Sequence, residues 1–444
     1  TEVTDELRRL MKEFETELAV LKGRVDGLEA KVGELEANQF STTTKLRGVA
    51  TFVMGGNAFG GSDTSLVRFN QAAQGAVTFN YDLRLALDTS FSGKDLLRTE
   101  LRAGNFQQSG FGAGTTVLNL LYDAWQQPAI ANNVAINRLF YQFPIGSEFV
   151  ATVGARVRQD DMLALWPTVY SSDPILAFFV HNGTNGTYNV NLGSGAGLWW
   201  RKNGFSISGQ YISENGNNGR PNVDAVGAPA TCGGIGTSCS LSTGTVQLAY
   251  TGNRWAISAA YTYSQNQGPN MGTPLARTPI NFVNGALTNL SLKTNAYSIN
   301  GYWQPYNTGW IPSISAGWGI NSYSSNNFDG GPGVGSLSTN GLISQSWFTG
   351  LNWKDAFIKG NELGVAVGQA PFITSFGGNN GYKNLYGSTP GDSNFISELW
   401  YKFQVTDNIS VTPAVFYISN LVGQQAESGG LNNFGALVKT TFKF

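Results

Sequence analysis

Seven arginines on alternating positions of short segments are the residues through which this sequence could do chemistry: Arg47, Arg84, Arg98, Arg102, Arg138, Arg156 and Arg158, interleaved with Asp82, Asp88 and Glu100. Guanidinium groups fixed along one side of a water-filled space catalyse nothing. They create a transverse field that orders ions and raises the local concentration of anions. The opposing reading is that each arginine pairs with a nearby carboxylate or loop carbonyl and merely solvates an inner wall.

A second group lies in the stretch 159 to 192, where Asp160 and Asp161 lead into an apolar middle holding Trp166, Ile175, Leu176, Phe178 and Phe179. Apolar side chains in a connection need cover, so this stretch is expected to fold into the space the arginines line or against another subunit. Asp160, Asp161 and Trp166 then become constriction residues. Inward Trp400, Phe416 and Phe348 hint at an aromatic slide, which a channel specific for sugars or chelated iron would carry. Cys232 and Cys239 are the only cysteines, close together in a polar stretch, and are expected to form a local disulfide in an oxidising compartment.

His181 is the single histidine and reads as a loop residue rather than a ligand. With no nucleophile–base pair, no phosphate-cradling loop and no metal-ligand spacing, the sequence offers no catalytic residue, and neither a cofactor nor a metal is expected.

The elements that must position these residues are strands. Phe79, Tyr81, Leu83, Leu85 and Leu87 alternate with Asn80, Asp82, Arg84 and Ala86, and Leu97, Thr99, Leu101 and Ala103 alternate with Arg98, Glu100 and Arg102. One face suits lipid and the other water. About sixteen such segments start near residues 44, 76, 96, 134, 149, 193, 204, 242, 254, 294, 310, 343, 361, 395, 409 and 434. Short links, as near Gly93, Gly146, Asn203 and Gly252, alternate with long ones. That pattern predicts an all-β transmembrane barrel of antiparallel strands over 41–444, with long external loops, short periplasmic turns and a bore wide enough for water.

Composition agrees: 13% of the 444 residues are charged, 12% are aromatic and 56 are glycine. The longest apolar run, Pro174 to Val180, is far short of the roughly 20 residues of a spanning helix. A net charge of −1 argues against nucleic acid as a partner, since a phosphate-binding surface needs a basic excess. No secretory leader heads the sequence, so an exported chain is expected to have lost one.

Before the barrel the period is 3.5. Met11, Leu18, Val25 and Val32 take heptad position a, and Leu7, Phe14, Leu21, Leu28 and Leu35 take d. In a parallel in-register coil Glu17 meets Lys22, Arg24 meets Glu29 and Lys31 meets Glu36, all attractive. Residues 1–40 are therefore expected to form an α-helical coiled-coil stalk between identical chains, hanging into the periplasm.

The last segment sets Phe434, Ala436, Val438, Thr440, Phe442 and Phe444 on one face. Together with the heptads, the run Thr43-Thr44-Lys45-Leu46-Arg47-Gly48 and the run Phe91-Ser92-Gly93-Lys94-Asp95-Leu96-Leu97-Arg98-Thr99, this order of parts resembles the major cyanobacterial outer-membrane porins of the Som type, also called iron uptake porins and related to carbohydrate-selective porins. The resemblance implies a homotrimer and a pore for small inorganic ions and little else. It implies recognition of Phe444 by the barrel assembly machinery, and tethering to peptidoglycan through an S-layer-homology domain that this sequence does not contain.

Overall fold

The computed structural model describes residues 4–10, 12, 14, 22, 24–25, 43–112, 117–170, 174–221, 232–277, 279, 292–307, 309–326, 328–329, 336–425 and 430–444. Of the heptad positions expected to build the stalk, Leu7, Phe14 and Val25 are helical; Met11, Leu18, Leu21, Leu28, Val32 and Leu35 lie outside the described residues.

A strand with one greasy and one wet face is stable in a bilayer only when its backbone groups are all paired and no edge is left open. The chain meets that condition with sixteen antiparallel strands closed into a barrel. They are β1 (Thr44–Gly61), β2 (Thr78–Thr89), β3 (Leu96–Gly104), β4 (Ala135–Ile145), β5 (Phe149–Arg158), β6 (Leu192–Lys202), β7 (Phe205–Ser213) and β8 (Ser242–Thr251). The second half comprises β9 (Trp255–Gln265), β10 (Lys293–Trp303), β11 (Ser313–Ser324), β12 (Ile343–Lys354), β13 (Glu362–Ser375), β14 (Phe395–Thr406), β15 (Ile409–Ser419) and β16 (Leu431–Lys443). Every start falls within three residues of the position read from the alternation.

Each strand pairs with its sequence neighbours, and β16 returns to β1 with Val49 opposite Lys443 and Gly61 opposite Leu431. Gly48 and Phe444 extend this seam through two backbone bonds, 2.6 and 3.0 Å long. Polarity is inverted relative to a soluble protein: Ile299 is 55% exposed on the outside of β10, whereas its neighbour Asn300 is 1% exposed within.

The long connections at one end are numbered here as loops one to eight. Loop one holds helix α1 (Thr64–Gln74), which Asp63 caps by accepting from the Leu66 N–H at 3.0 Å. In loop four Cys232 and Cys239 are joined by a disulfide, and Asn215 Nδ2 donates to both their carbonyls at 2.9 and 3.1 Å. Protein purified without reductant is expected to gain two hydrogens in intact mass on reduction; two free thiols before reduction would contradict the pairing.

Loops five, seven and eight meet at Asp392, which is 1% exposed. Its carboxylate accepts from Thr273 Oγ1 at 2.5 Å, the Ile373 N–H at 2.7 Å and the Gln424 N–H at 3.0 Å. Burial outweighs these bonds and pushes its pKa up to about 6, from 3.8. Because the folded value lies above the unfolded one, folding favours the protonated acid, and stability falls as pH rises from about 4 through 6. Wild type should therefore lose stability relative to Asp392→Asn between pH 5 and pH 7.5 in detergent melts. A pH-independent difference would refute this assignment.

Candidate functional site: the constricted lumen

Loop three does not stay outside. Its described residues hydrogen-bond to the inner faces of β7 to β11 and of β14. Ala164 N–H donates to Ser208 Oγ at 2.9 Å, Gln247 Nε2 to the Leu165 carbonyl at 3.0 Å, and Asn300 Nδ2 to the Asn182 carbonyl at 3.0 Å. At the far wall Glu398 of β14 accepts from Tyr170 Oη at 2.8 Å and from the Leu176 N–H at 2.7 Å. The sequence lets the loop lie flat because Gly183, at φ +65°, passes so close to the wall that a Cβ would sit 2.6 Å from Phe348 Cβ. The loop's apolar run pays for this confinement: Ile175, Leu176, Ala177, Phe178 and Phe179 are all buried against Phe348 and Trp400.

The described residues of loop two (105–112 and 117–134) are inserted as well, a placement not expected from the sequence. Phe106, Phe111, Leu118 and Leu121 join the same apolar cluster, with the Phe111 ring 6.2 Å from Phe416. The Tyr122 N–H donates to the Ile175 carbonyl and the Ala177 N–H to the Leu120 carbonyl, each at 2.9 Å, so the two loops form one body. The signal was present in apolar Phe106, Phe111, Leu118, Leu120, Leu121 and Trp125, the same kind of signal that marked loop three.

These loops correct the aromatic slide. Trp400, Phe348 and Phe416 do face inward, but they are at most 2% exposed. Trp400 Nε1 donates to Tyr170 Oη at 2.9 Å, and the Phe179 ring stands 6.5 Å from Phe348. The aromatics are the foundation under the loops, so no solute can slide along them.

The arginines are largely engaged. Asp82 takes Arg84 Nε and Arg102 Nε on separate oxygens, both at 2.7 Å. Arg102 also donates to the Trp125 carbonyl at 2.7 Å and the Asp123 carbonyl at 2.8 Å, pinning loop two. Asp123 in turn pairs with Lys439 at 2.8 Å. Arg84 reaches Tyr122 Oη at 3.0 Å. Arg98 grips Asp88 with two bonds, at 2.7 and 3.0 Å, and Arg47 pairs with the same carboxylate.

On the next strands Arg138 pairs with Asp161 at 2.8 Å and Arg158 grips Asp160 with two 2.5 Å bonds. Glu100 accepts from Asn137 Nδ2 at 2.5 Å and lies opposite Arg138 in the β3–β4 register. Arg156 is exposed and faces Glu214 across open space. Trp166 stands edge-on to Tyr188, 5.3 Å between centroids. His181 is fully buried, its Nδ1 2.6 Å from Asn185 Nδ2, and burial together with nearby Arg158 holds its pKa down to about 3, so the ring is neutral.

Two water-accessible hollows lie beside the inserted loops. One, of about 570 Å³ on the loop side, carries Arg156, Glu214 and Arg277; the other, of about 480 Å³ on the turn side, carries Arg158, Asp160, Lys354 and Glu362, with Trp166 and Tyr170. Opposite charges and amide groups around water can replace part of a solute's hydration shell without fixing one ligand.

A closed barrel with a polar lumen narrowed by inserted loops has known relatives. The family model for carbohydrate-selective porins, OprB family, matches residues 2–444. An uncharacterised protein of Nostoc sp. (strain PCC 7120) is 30% identical over 461 residues, covering 99% of this chain and 72% of that one. Another, of Synechocystis sp. (strain PCC 6803), is 28% identical and covers 99% and 76%. Among solved structures, Pseudomonas putida OprB superposes with a TM-score of 0.56 at 13% identity, covering 90% of this chain and 94% of that one. An anion-selective porin from Comamonas acidovorans gives a TM-score of 0.50 at 10% identity, covering 90% and 99%. With its full-length family match and its sixteen-stranded barrel, this outer-membrane channel belongs to the carbohydrate-selective porin family, OprB.

Proposed function

We propose that the channel passes small hydrophilic solutes and inorganic ions passively, with a weak preference for anions. The observation that carries the reading is the charge around the two hollows: two arginines against one glutamate on the loop side, and two cations against two carboxylates on the turn side. Arg98, Arg102 and Arg138 are held in close ion pairs, so selectivity rests on Arg156 and Arg277 instead.

Replacing Arg156 and Arg277 together by glutamine should shift the reversal potential in planar bilayers toward cations. The shift should be larger in dilute than in molar salt, because screening shortens from about 30 Å at 0.01 M to about 3 Å at 1 M. Identical reversal potentials at low salt would refute the assignment.

A second reading, a channel specific for sugars, is favoured by Trp166 beside the Arg158–Asp160 pair on one hollow, and by the family. A specific channel saturates with its sugar, whereas a general one does not.

The heptads support parallel association of identical chains through residues 1–40 as a common periplasmic stalk, and the Som-type resemblance supports three chains with three pores. The Som-type resemblance supports recognition of Phe444 by the assembly machinery, and peptidoglycan tethering through a domain outside this sequence. Lipid contacts the outer wall. Changing Leu21 and Leu28 to Asp should dissociate the stalks; mass photometry that shows only monomers of wild type in mild detergent would refute the trimer.

A further inference from the structure

The two hollows share no lining residue. One hydrogen bond joins a side chain on the lining of one to a side chain on the lining of the other. Arg158, on the turn-side hollow, donates Nη1 to Gln126 Oε1 at 3.4 Å. Gln126, on the loop-side hollow, donates Nε2 to the Val190 carbonyl at 3.0 Å. The carboxamide thus straps loop two to loop three, and the Arg158 guanidinium closes against it from below while lying 5.6 Å from the Trp125 ring.

A second observation marks the same two residues. Gln126 has φ +60° and Val190 φ +50°. Left-handed backbone is uncommon for any residue other than glycine and is an outlier for a β-branched one. Such conformations persist only where the surroundings over-determine them, and they gather at functional clamps and switches. Here Gln159 supplies that constraint, accepting from the Val190 N–H at 2.8 Å and donating to the Thr187 carbonyl at 2.9 Å and to Thr245 Oγ1 at 2.8 Å.

We propose that Gln126 is the residue that sets the aperture of this channel: its carboxamide is the partition between the two hollows, and a solute passes by displacing it from Val190 and Arg158. The proposal rests on the channel reading above and names the narrowest point of that path. Each bond it breaks is between neutral groups or from one guanidinium, so water or a solute hydroxyl replaces either partner at small net cost. The acid–base pairs around it are untouched by the movement, because Arg158 keeps both bonds to Asp160.

The test is single-channel conductance of the full chain in planar bilayers. Gln126→Ala removes the partition and should raise conductance roughly twofold or more. Gln126→Asn, one methylene shorter, should also raise it, and serves if the alanine variant fails to fold. Both Gln126 variants conducting as wild type would overturn the proposal and leave the channel reading standing, whereas wild type that forms no channels would overturn that reading itself.

Discussion

Arg102→Ala is expected to be the most damaging single substitution in the lumen, destabilising the folded loops by about 3 kcal/mol. The side chain is 2% exposed, as is its partner Asp82, so neither charge has water to fall back on. Breaking a buried pair by removing one member costs about 3–5 kcal/mol. The lower end applies here, since Asp82 keeps Arg84 at 2.7 Å and Gln127 at 2.9 Å. The carbonyls of Trp125 and Asp123 also lose a donor each, and these are the groups through which β3 holds loop two.

Loop two should therefore become open to protease in detergent, and channel noise should increase. Arg102→Lys should recover the ion pair but not both carbonyl bonds, because an ammonium lacks the planar fork. A loop equally resistant to protease in wild type and Arg102→Ala would remove the pinning role.

The second large effect is expected at Glu398, the wall carboxylate under loop three. Removing its oxygens in Glu398→Leu leaves the Leu176 N–H without an acceptor, and an unsatisfied buried donor costs about 1–3 kcal/mol. Tyr170 loses its acceptor too, though its hydroxyl still accepts from Trp400 Nε1. Conductance of Glu398→Leu should become larger and more variable as the far limb of loop three loosens, while Glu398→Gln, which keeps one acceptor, should fall between. If Glu398→Leu forms channels as quiet and as narrow as wild type, the apolar packing of Ile175 to Phe179 alone holds the loop.

What could be read from the sequence was whatever two solvents impose locally. Alternation such as Phe79, Tyr81, Leu83 against Asn80, Asp82, Arg84 is forced residue by residue, so strand starts were recoverable to within three positions. Loop three announced itself through Trp166 and Phe178 because apolar residues need cover. Hidden from view was what covered them: Phe348, Trp400 and Phe416 lie more than a hundred residues away, and without the barrel they look like pore aromatics. The bonds of Arg138 to Asp161 and of Arg102 to loop two span only 21 to 23 residues and fit the reading of arginines paired with nearby carboxylates and loop carbonyls, but which partner each takes depends on how the loops fold inward. Left-handed Gln126 and Val190 had no signal at all, since neither is a residue that favours such backbone.

The seam between β1 and β16 also dictates an order of events. All other neighbours in the barrel are consecutive in the chain and can zip as they meet, but Val49 and Lys443 are 394 residues apart (443 − 49). Loop-closure entropy grows only as the logarithm of that distance, so the equilibrium penalty is modest. The kinetic consequence is larger: non-local pairing comes late, and until then β1 and β16 are two open edges. Loops two and three must be gathered inside during that interval, because Tyr170 and Glu398 meet across the space being enclosed. A chain delayed there offers its free edges to a second chain in the same state, and the product of that encounter is a strand-exchanged dimer rather than a pore.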